Sequence, residues 1–380
     1  MRVLFIGLAS NFTEGMTYQE NLLAEQVRAD GNEVTIVADC HRFANGVLTR
    51  TNEENRLLDN GVRLIRKNYR NIMGEFVSGK IRAVDGLYEI IESQRPDIVF
   101  QHSPCSYEIL TVSRYKQNNP AVRFYVRSHE DRHNSGTNVL SREVLHKMFY
   151  RSLVQRALPH IDKVFYITYE TAEFLKMMYN IPNHMMEFFP LGGVIFEERS
   201  RNSKRNKIRQ ELGLKEEEIL IAHTGKMNRK KRTEDVLEAF TKVPSDRLRL
   251  ILIGSLSEDI RTKAERLVAS DDRIRFLGWK SGDELLDHLC ASDLYLQPGT
   301  QSATMQNAVC CRNAVAVCPY PSHKALLEDK AFYVESRQDI ERLLRDVVRD
   351  ADALENKRRE LYRIASDVLD YRVLAARLYR

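Results

Sequence analysis

The stretch from Gly225 to Arg232 contains five cations among its eight residues. A short apolar run at 219–222 precedes it, and a helix with acidic residues in its first turn follows from Thr233. In an open α/β sheet, a loop between such a strand and helix lies at the carboxyl end of the strand, where ligands bind. Clustered cations there favour a phosphate or diphosphate. From these residues alone, a solvated basic loop without a ligand remains equally compatible.

Polar residues also follow three other predicted strands. Gly299 to Thr304 opens a helix, whose free N–H groups suit a phosphate oxygen. Ser128-His129-Glu130 follows the apolar run at 122–126. The loop from Gly7 to Gly15 follows the first strand, but it does not match the GxGxxG dinucleotide fingerprint.

The chemistry near His129 leaves one further alternative. Asp131 and His133 lie beside His129, and all three are residue types that ligate metals. No Asp-x-Asp lies in a position that would support a metal-dependent site. We therefore expect no metal and no cofactor.

Alternating strand and helix patterns place these segments on two doubly wound sheets. The apolar runs predict strands at 3–8, 33–38, 62–65, 98–100, 122–126, 163–168, 219–222, 248–253, 273–277, 293–297 and 314–317. Helical patterns lie between them, including 81–93 and a long helix at 140–158, whereas residues 41–61 carry no clear pattern. We predict an α/β chain with Rossmann-like domains at 1–192 and 193–365. A C-terminal helix, at about 366–380, is expected to pack back on the first domain.

The composition is that of an ordinary soluble protein of two or three domains, with 380 residues, 43% hydrophobic and 29% charged. A net charge of +5, with basic residues not interleaved with aromatics, argues against a nucleic-acid binder. The six cysteines form no CxxC pair, which is typical of free thiols in a reducing compartment. Since no apolar run approaches the roughly 20 residues of a membrane span, we expect a cytoplasmic protein.

The basic cluster from Arg199 to Arg209 has two interpretations. A solvated linker or helix face is favoured, because charge runs usually face water. Contact with an anionic membrane surface is the alternative. Any membrane contact would then be peripheral, at the inner face of the membrane.

Several stretches, in this order, resemble the GT-B glycosyltransferases of glycosyltransferase family 4. Residues 189–194, Phe-Pro-Leu-Gly-Gly-Val, resemble the family's segment between domains. Gly225-Lys226 with Lys231 resembles its phosphate loop, and Phe276-Leu277-Gly278 resembles its Phe-Leu-Gly on the nucleotide side. Residues 291–298 resemble its Ala-Asp…Pro-Ser strand. The resemblance covers nearly the whole chain and implies two Rossmann-like domains facing a central cleft.

The resemblance implies roles for individual residues. Lys226 and Lys231 would bind the diphosphate of a nucleotide-sugar donor and stabilise the charge that develops on it. His129, in the place of the family's His-Asp, would contact the sugar or acceptor. Further donor contacts would come from Gly225, Gly278, Gln301, Ser302, Ala303, Thr304 and Asn307, and acceptor-side contacts from the loop of Gly7, Gly15 and Met16.

The chain departs from the family between Pro298 and Arg312. The family has two glutamates here, one for the donor sugar and one for the ribose. Asn307 stands in place of the second, and an amide still hydrogen-bonds hydroxyls without charge. The first has no counterpart. Arg232 also stands where the family usually has glycine.

The resemblance implies a retaining, metal-independent glycosyltransferase of hexosyltransferase type, acting in surface polysaccharide or glycoconjugate synthesis. Its partners would be a nucleotide sugar and a saccharide or lipid-linked saccharide acceptor. The departures leave two alternatives open: a non-catalytic nucleotide-sugar-binding member of a glycan-assembly complex, and an epimerase or phosphorylase of the same fold.

Overall fold

The computed structural model describes residues 1–44, 47–132 and 134–380. These residues divide into two compact units. Unit 1 comprises Met1–Pro190 and Ala375–Arg380, and unit 2 comprises Leu191–Leu374. Each unit is built on its own sheet.

Unit 1 contains an eight-stranded sheet in the order β10-β9-β8-β7-β1-β2-β6-β5. All neighbouring pairs are parallel except β5 with β6. The strands are β1 (Arg2–Gly7), β2 (Glu33–Asp39), β3 (His41–Ala44), β4 (Val47–Arg50), β5 (Glu54–Leu57), β6 (Arg63–Lys67), β7 (Ile98–His102), β8 (Arg123–Ser128), β9 (Lys163–Tyr166) and β10 (Met186–Phe188), with β3 and β4 forming a separate antiparallel pair. β1 lies between β2 and β7, so the winding direction reverses there.

The helices of unit 1 connect these strands. They are α1 (Gln19–Ala29), α2 (Glu75–Ile81), α3 (Leu87–Gln94), α4 (Ile109–Asn118), α5 (Arg151–Ala157) and α6 (Tyr169–Tyr179), with one-turn 3-10 helices at Leu158–His160 and Asn183–Met185. A π-helix, Ser141–Tyr150, runs directly into α5. The helix predicted at 140–158 is therefore nearly continuous, but its first ten residues have the wider π winding.

Unit 2 contains a six-stranded parallel sheet in the order β13-β12-β11-β14-β15-β16. The strands are β11 (Ile219–Met227), β12 (Leu248–Leu256), β13 (Ile274–Phe276), β14 (Leu294–Gln297), β15 (Ala314–Val317) and β16 (Phe332–Tyr333). The helices are α7 (Glu198–Glu211), α8 (Thr233–Thr241), α9 (Arg261–Ala269), α10 (Gly282–Ala291), α11 (Ala303–Cys310), α12 (Pro321–Leu327), α13 (Arg337–Arg349) and α14 (Ala351–Ile364), with a 3-10 turn at Arg229–Lys231 and a π turn at Ala365–Leu369. The last helix, α15 (Tyr371–Leu378), begins in unit 2, and its residues from Ala375 onward belong to unit 1.

Two local predictions were wrong, and one stretch without a prediction is now assigned. The predicted helix at 81–93 is interrupted, because Arg82 ends α2 in a left-handed conformation (φ 52°) and α3 begins only at Leu87. Residues 225–227 belong to β11 rather than to a loop, because they pair with 254–256 of β12. The unassigned stretch at 41–61 contains three short strands, with residues 45 and 46 outside the described residues.

The basic cluster at 199–209 forms part of α7, and four of its six cations are buried or half-buried. Arg205 and Arg209 reach the carboxylate of Asp293 at 2.7 and 3.2 Å, and Lys204 pairs with Asp287. Asp293 also accepts a hydrogen bond from the backbone N–H of Leu220 at 2.8 Å. Only part of the cluster faces water, so α7 is a structural helix of unit 2 rather than a linker.

Asp293→Ala is expected to destabilise unit 2 by about 3–5 kcal/mol, because it leaves two largely buried guanidinium groups without their counter-charge. Urea unfolding measures this change. The matched control is Asp329→Ala, whose carboxylate is 89% exposed and pairs with Lys330 on the surface. We expect the control to change stability by less than about 1 kcal/mol. Equal effects of the two substitutions would contradict the structural role of Asp293.

Candidate functional site

The cation-rich segment lies where the sheet of unit 2 reverses its winding. β11 pairs with β12 on one side and with β14 on the other. The carboxyl ends of β11 and β14 therefore lie side by side, each leading into a helix. In a doubly wound sheet this is where ligands bind.

The turn after β11 is held by its own side chains. Asn228 Oδ1 accepts a hydrogen bond from the backbone N–H of Lys231 at 3.0 Å. Arg232 adopts a left-handed conformation with φ 57°, which glycine adopts without steric cost. Its guanidinium donates to Asp235 at 2.8 Å and to the carbonyl of Glu335 at 2.9 Å. Arg232 thus stabilises the turn and does not face the strand ends.

Lys231 is the cation that joins the two strand ends. Its ammonium donates to the carbonyl oxygens of Thr300 and Gln301 at 3.3 and 3.1 Å. Burial lowers the pKa of Lys231 to about 8, so it still carries its charge at neutral pH. Carbonyl dipoles satisfy its donors but do not neutralise its charge. An anion beside it would therefore be strongly favoured.

The other cations of the segment lie in more open positions. Lys226 is exposed near the end of β11, where it pairs in register with Ser255. Arg229 is 3.9 Å from Asp259, and Lys230 is exposed. The site therefore combines a largely buried cation, Lys231, with a long and exposed lysine side chain, Lys226, at the same strand end.

Gly299 allows the loops after β11 and β14 to touch. A Cβ atom on Gly299 would lie 2.2 Å from the carbonyl oxygen of Lys230 and 2.5 Å from Cα of Lys231. Across the same contact, Thr300 N–H donates to Lys230 O at 3.1 Å. Any side chain at 299 would separate the loops and remove Lys231 from its carbonyl partners.

The first turn of α11 faces this junction with unused donors. Ser302 is its N-cap residue, yet its hydroxyl does not cap the helix. Instead that hydroxyl accepts a hydrogen bond from Tyr295 Oη at 3.4 Å. The N–H groups of Ala303 and Thr304 belong to the orphan donors of a helix start, which bind anions. Gln301, Ser302 and Thr304 are half-buried at this helix start, and their contact with a phosphate stays a prediction.

Asn307 and its neighbour Gln306 contact the chain segment that begins unit 2. Gln306 Oε1 accepts from the N–H of Gly192 at 2.8 Å, and Asn307 Oδ1 accepts from that of Val194 at 3.4 Å. The amide oxygen of Asn307 is therefore used within unit 2, which leaves its NH₂ group for a hydroxyl. Gly278 lies two residues after β13, and its carbonyl accepts a hydrogen bond from the backbone N–H of Gly254 at 2.8 Å. A Cβ atom on Gly278 would meet no atom within 4 Å.

A buried polar layer beneath the site was not predicted. His223 Nδ1 donates to the carbonyl of Leu296 at 2.7 Å, and its Nε2 accepts from Thr233 Oγ1 at 2.9 Å. This tautomer follows because a carbonyl only accepts. Burial lowers the pKa of His223 to about 4, so the ring stays neutral and joins β11, β14 and α8. A polar residue inside an otherwise apolar strand was its only sequence signal.

In unit 1, His129 lies directly after β8. Burial, with Arg127 nearby, holds the pKa of His129 well below its usual range, so the ring is neutral. Its Nε2 is buried and has no hydrogen-bond partner among the described residues. Its backbone is held by Glu130, which accepts from His129 N–H at 3.1 Å and from the hydroxyls of Ser103 and Ser128.

His102, at the end of β7, was missed. The Arg127 guanidinium donates to His102 Nδ1 and to the side-chain oxygen of Gln19. His102 therefore carries its proton on Nε2, and within the described chain that buried nitrogen has no partner. Burial and Arg127 hold the pKa of His102 well below its usual range. Two neutral imidazoles at neighbouring strand ends thus offer unused hydrogen-bonding atoms.

The predicted acceptor-side loop follows β1. Gly7 has little room for a side chain, since a Cβ there would lie 2.8 Å from Ser10 Oγ. Gly15 has φ +72° with open space around it, and Met16 is half-buried. His133 lies outside the described residues. Among the residues that are described, no group of three or more His, Cys, Asp or Glu side chains is placed to hold a metal.

Gly299→Ala is expected to separate the two loops of unit 2, because its Cβ cannot fit against Lys230 and Lys231. We expect a loss of thermal stability together with a rise in the pKa of Lys231, as its ammonium gains access to water. NMR titration of the lysine measures the second effect. The control is Gly79→Ala in α2, where a Cβ meets no atom within 4 Å. An unchanged Lys231 pKa in Gly299→Ala would contradict the loop contact.

Comparison with known proteins finds a family model that matches most of unit 2 by sequence. Residues 204–366 match the family model of glycosyl transferases group 1. No curated protein matches the chain by sequence. Within the described residues, no helix is long and apolar enough to cross a membrane.

Solved structures resemble the whole chain. Sucrose-phosphate synthase from Thermosynechococcus elongatus shares 12% identity with a TM-score of 0.71, covering 100% of this chain and 97% of that one. Anabaena HepE in complex with UDP shares 13% identity with a TM-score of 0.66, covering 100% and 98%. WaaG, a glycosyltransferase involved in lipopolysaccharide biosynthesis, shares 14% identity with a TM-score of 0.62, covering 99% and 98%.

These likenesses confirm the predicted fold class, and the matched family model confirms the resemblance on which unit 2 was interpreted. Residues 204–366 match the model of the glycosyl transferases group 1 family, and the whole chain has the fold of solved GT-B glycosyltransferases.

Proposed function

We propose that the protein is a retaining, metal-independent glycosyltransferase that uses a nucleotide-diphosphate sugar. The observation that carries the proposal is the charged, half-buried Lys231 beside the first turn of α11, at the reversal point of the unit 2 sheet. A diphosphate there would accept hydrogen bonds from Lys231, from Lys226 and from the free N–H groups of α11. The matched group 1 family model supports the assignment of this unit to donor binding.

The cations would act on the leaving group. As the glycosyl–phosphate bond breaks, negative charge grows on the diphosphate, and fixed cations stabilise that state more than the ground state. This is the task that a divalent metal performs in other transferases, so we expect activity to withstand EDTA. Burial of Lys231 strengthens its effect, because its field is less screened than that of an exposed lysine.

Residues 298–307 contain no carboxylate, so this segment supplies no enzymatic nucleophile. We therefore propose front-face transfer. The bond from the anomeric carbon to the phosphate oxygen breaks, the acceptor oxygen bonds to the same carbon, and the acceptor proton passes to the departing phosphate oxygen. Neutral His129 and His102 would hydrogen-bond sugar or acceptor hydroxyls rather than act as acids, because both resist protonation near neutral pH.

The same missing carboxylates favour one alternative, a nucleotide-sugar-binding subunit without transfer activity. In both cases nucleotide sugar binds to unit 2, and only transfer activity distinguishes the two functions.

We place the protein in surface polysaccharide or glycoconjugate synthesis, with a hexose donor and a saccharide or lipid-linked saccharide acceptor. A screen by thermal shift tests donor binding, since a ligand at about 100 times its dissociation constant stabilises by about 2.7 kcal/mol.

In that screen we expect stabilisation by at least one of UDP-, GDP- or ADP-sugars, and release of the nucleoside diphosphate when acceptor is added. Binding without release in the presence of any acceptor would select the non-catalytic alternative. An epimerised sugar nucleotide formed without acceptor would select the epimerase. Absence of any shift would contradict the donor site itself.

Lys231→Ala should lower kcat/KM by about 30-fold to 1,000-fold, which corresponds to a loss of roughly 2–4 kcal/mol of transition-state stabilisation. Steady-state kinetics with the donor found in the screen measure this loss. Lys230→Ala is the matched control, because the side chain of this neighbouring lysine is exposed and only its backbone carbonyl takes part in the junction. We expect it to change kcat/KM by less than about threefold. Wild-type turnover in Lys231→Ala would remove the central role of Lys231.

The stabilisation by UDP should decrease between pH 7 and pH 9, because Lys231 has a pKa of about 8 and binds an anion only when protonated. Up to about tenfold weaker binding is expected one unit above that pKa. The effect of pH on the stability of the ligand-free protein has the opposite sign. Between about pH 8 and the ordinary lysine pKa of 10.5, the folded protein binds fewer protons than the unfolded chain, so this group makes the free protein more stable as pH rises through that window.

Thermal unfolding with and without UDP, at each pH, separates the two effects. In Lys231→Met the decrease in UDP stabilisation with pH should disappear. The same decrease in that variant would show that another group is responsible.

A further inference from the structure

A cavity of about 570 Å³ lies within unit 1, at the amino ends of β8, β9 and β10. Its size is within the range of about 300–1,000 Å³ that is usual for small-molecule sites. Arg123 and Lys163 begin β8 and β9, and both line it. His129 follows the other end of β8, about 17 Å away at 3.3 Å per residue. The cavity is therefore separate from the edge of the sheet where we expect substrates.

Cations outnumber carboxylates in the lining of this cavity. Four cations and two carboxylates line it, namely Arg123, Lys163, Arg377, Arg380, Asp162 and Glu187. Glu187 is shared between Lys163 and Arg377, the latter at 2.5 Å. Asp162 pairs with Lys116 at 3.0 Å and accepts from the backbone N–H of Phe124 at 2.7 Å. The lining thus has two more positive than negative charges, and both carboxylates already have partners.

Two of these cations have no counter-charge. Arg123 forms no ion pair within the described residues, and its guanidinium donates to the sulfur of Met1 at 3.4 Å, which is a weak acceptor. Arg380 is exposed, and the described part of the chain gives it no ion pair either. Guanidinium groups bind phosphate oxygens in a bidentate geometry. A phosphate monoester carries about −1.5 to −2 charges at pH 7, which matches the excess in the lining.

The buried part of the lining is aromatic. Tyr125 and Phe165 are 6% and 1% exposed, and their ring centroids are 5.5 Å apart. The Tyr125 hydroxyl forms no hydrogen bond among the residues that the structure describes, although so deeply buried a tyrosine usually has a partner. A ligand with a ring to cover these side chains, and with a hydroxyl group to pair with Tyr125, would use both features.

We propose that this cavity binds a phosphorylated sugar, with its phosphate on Arg123 and Arg380 and its ring against Tyr125. The sugar hydroxyls would exchange hydrogen bonds with the Tyr125 hydroxyl and donate to Glu187. Because the cavity lies at the amino ends of the strands, this sugar is neither the donor nor the acceptor of the transfer. Lys231 and the donor site of unit 2 have no part in its binding.

Isothermal titration calorimetry with the full chain tests the binding. The probes are glucose 1-phosphate, glucose 6-phosphate and mannose 6-phosphate, with inorganic phosphate and glucose as the two halves of the ligand. We expect at least one sugar phosphate to bind saturably, with one molecule per chain. Inorganic phosphate should bind at least tenfold more weakly, and glucose should show no detectable binding.

Variants locate the site, and thermal unfolding checks that each of them is folded. Arg123→Gln should weaken binding of the sugar phosphate at least tenfold, because it removes charge-assisted hydrogen bonds. Tyr125→Phe removes only the hydroxyl and should weaken binding about threefold to tenfold. The matched control is Arg2→Gln, because Arg2 is exposed at the start of β1, on the same edge of the sheet but outside the lining. This control and Lys231→Met should each change the affinity by less than about twofold.

The proposal is wrong if none of the sugar phosphates binds, or if inorganic phosphate or glucose alone binds as tightly as the best of them. Equal weakening by Arg123→Gln and Arg2→Gln would also overturn it. Binding that is lost in Lys231→Met and kept in Arg123→Gln would overturn it as well, by assigning the ligand to the donor site. UDP binding to Arg123→Gln, measured in the same way, reports on the donor site separately.

Discussion

The contact of the Lys231 ammonium with the carbonyls of Thr300 and Gln301 is the interaction on which the account of unit 2 depends. It brings a largely desolvated cation to the start of α11, where helix N–H groups are also unused. Three features support this contact. Gly299 has no side chain to separate the loops, Asn228 accepts a hydrogen bond from Lys231 N–H in the turn, and His223 on β11 donates to the carbonyl of Leu296 on β14. A cation buried in this way is costly unless an anion joins it, and under the proposed function this cost would make the site favour an anionic ligand.

The fold could be predicted from the sequence because each strand of a doubly wound sheet is a short apolar run between helical patterns. The errors have tertiary causes. Gly225 and Lys226 read as a loop, but neighbouring β12 continues their pairing. The arginines of α7 read as solvated, but Asp293, more than eighty residues away in the chain, draws two of them inward. No local pattern records a partner at that distance.

Candidate site residues could be singled out in each unit where charge or glycine stood out, at Lys226, Lys231, His129 and the 299–304 segment, and their contacts with ligands stay predictions. It was missed where polar residues are buried inside strands, at His102, His223 and Tyr295. These three have no unusual spacing, and their roles appear only when neighbouring strands bring partners to them. The signal available was a polar side chain at the end of an apolar run, as in Gln101-His102, which usually indicates a buried hydrogen-bond network.

The most direct test of the account compares UDP with uridine by isothermal titration calorimetry, and likewise the guanine and adenine pairs. The diphosphate site predicts that, for at least one base, the diphosphate binds more tightly than the nucleoside by at least tenfold. It further predicts that this difference nearly disappears in Lys231→Met but persists in Lys230→Met. If the diphosphate adds no affinity, or if Lys231→Met binds it as the wild type does, the β11–β14 junction is not the donor site.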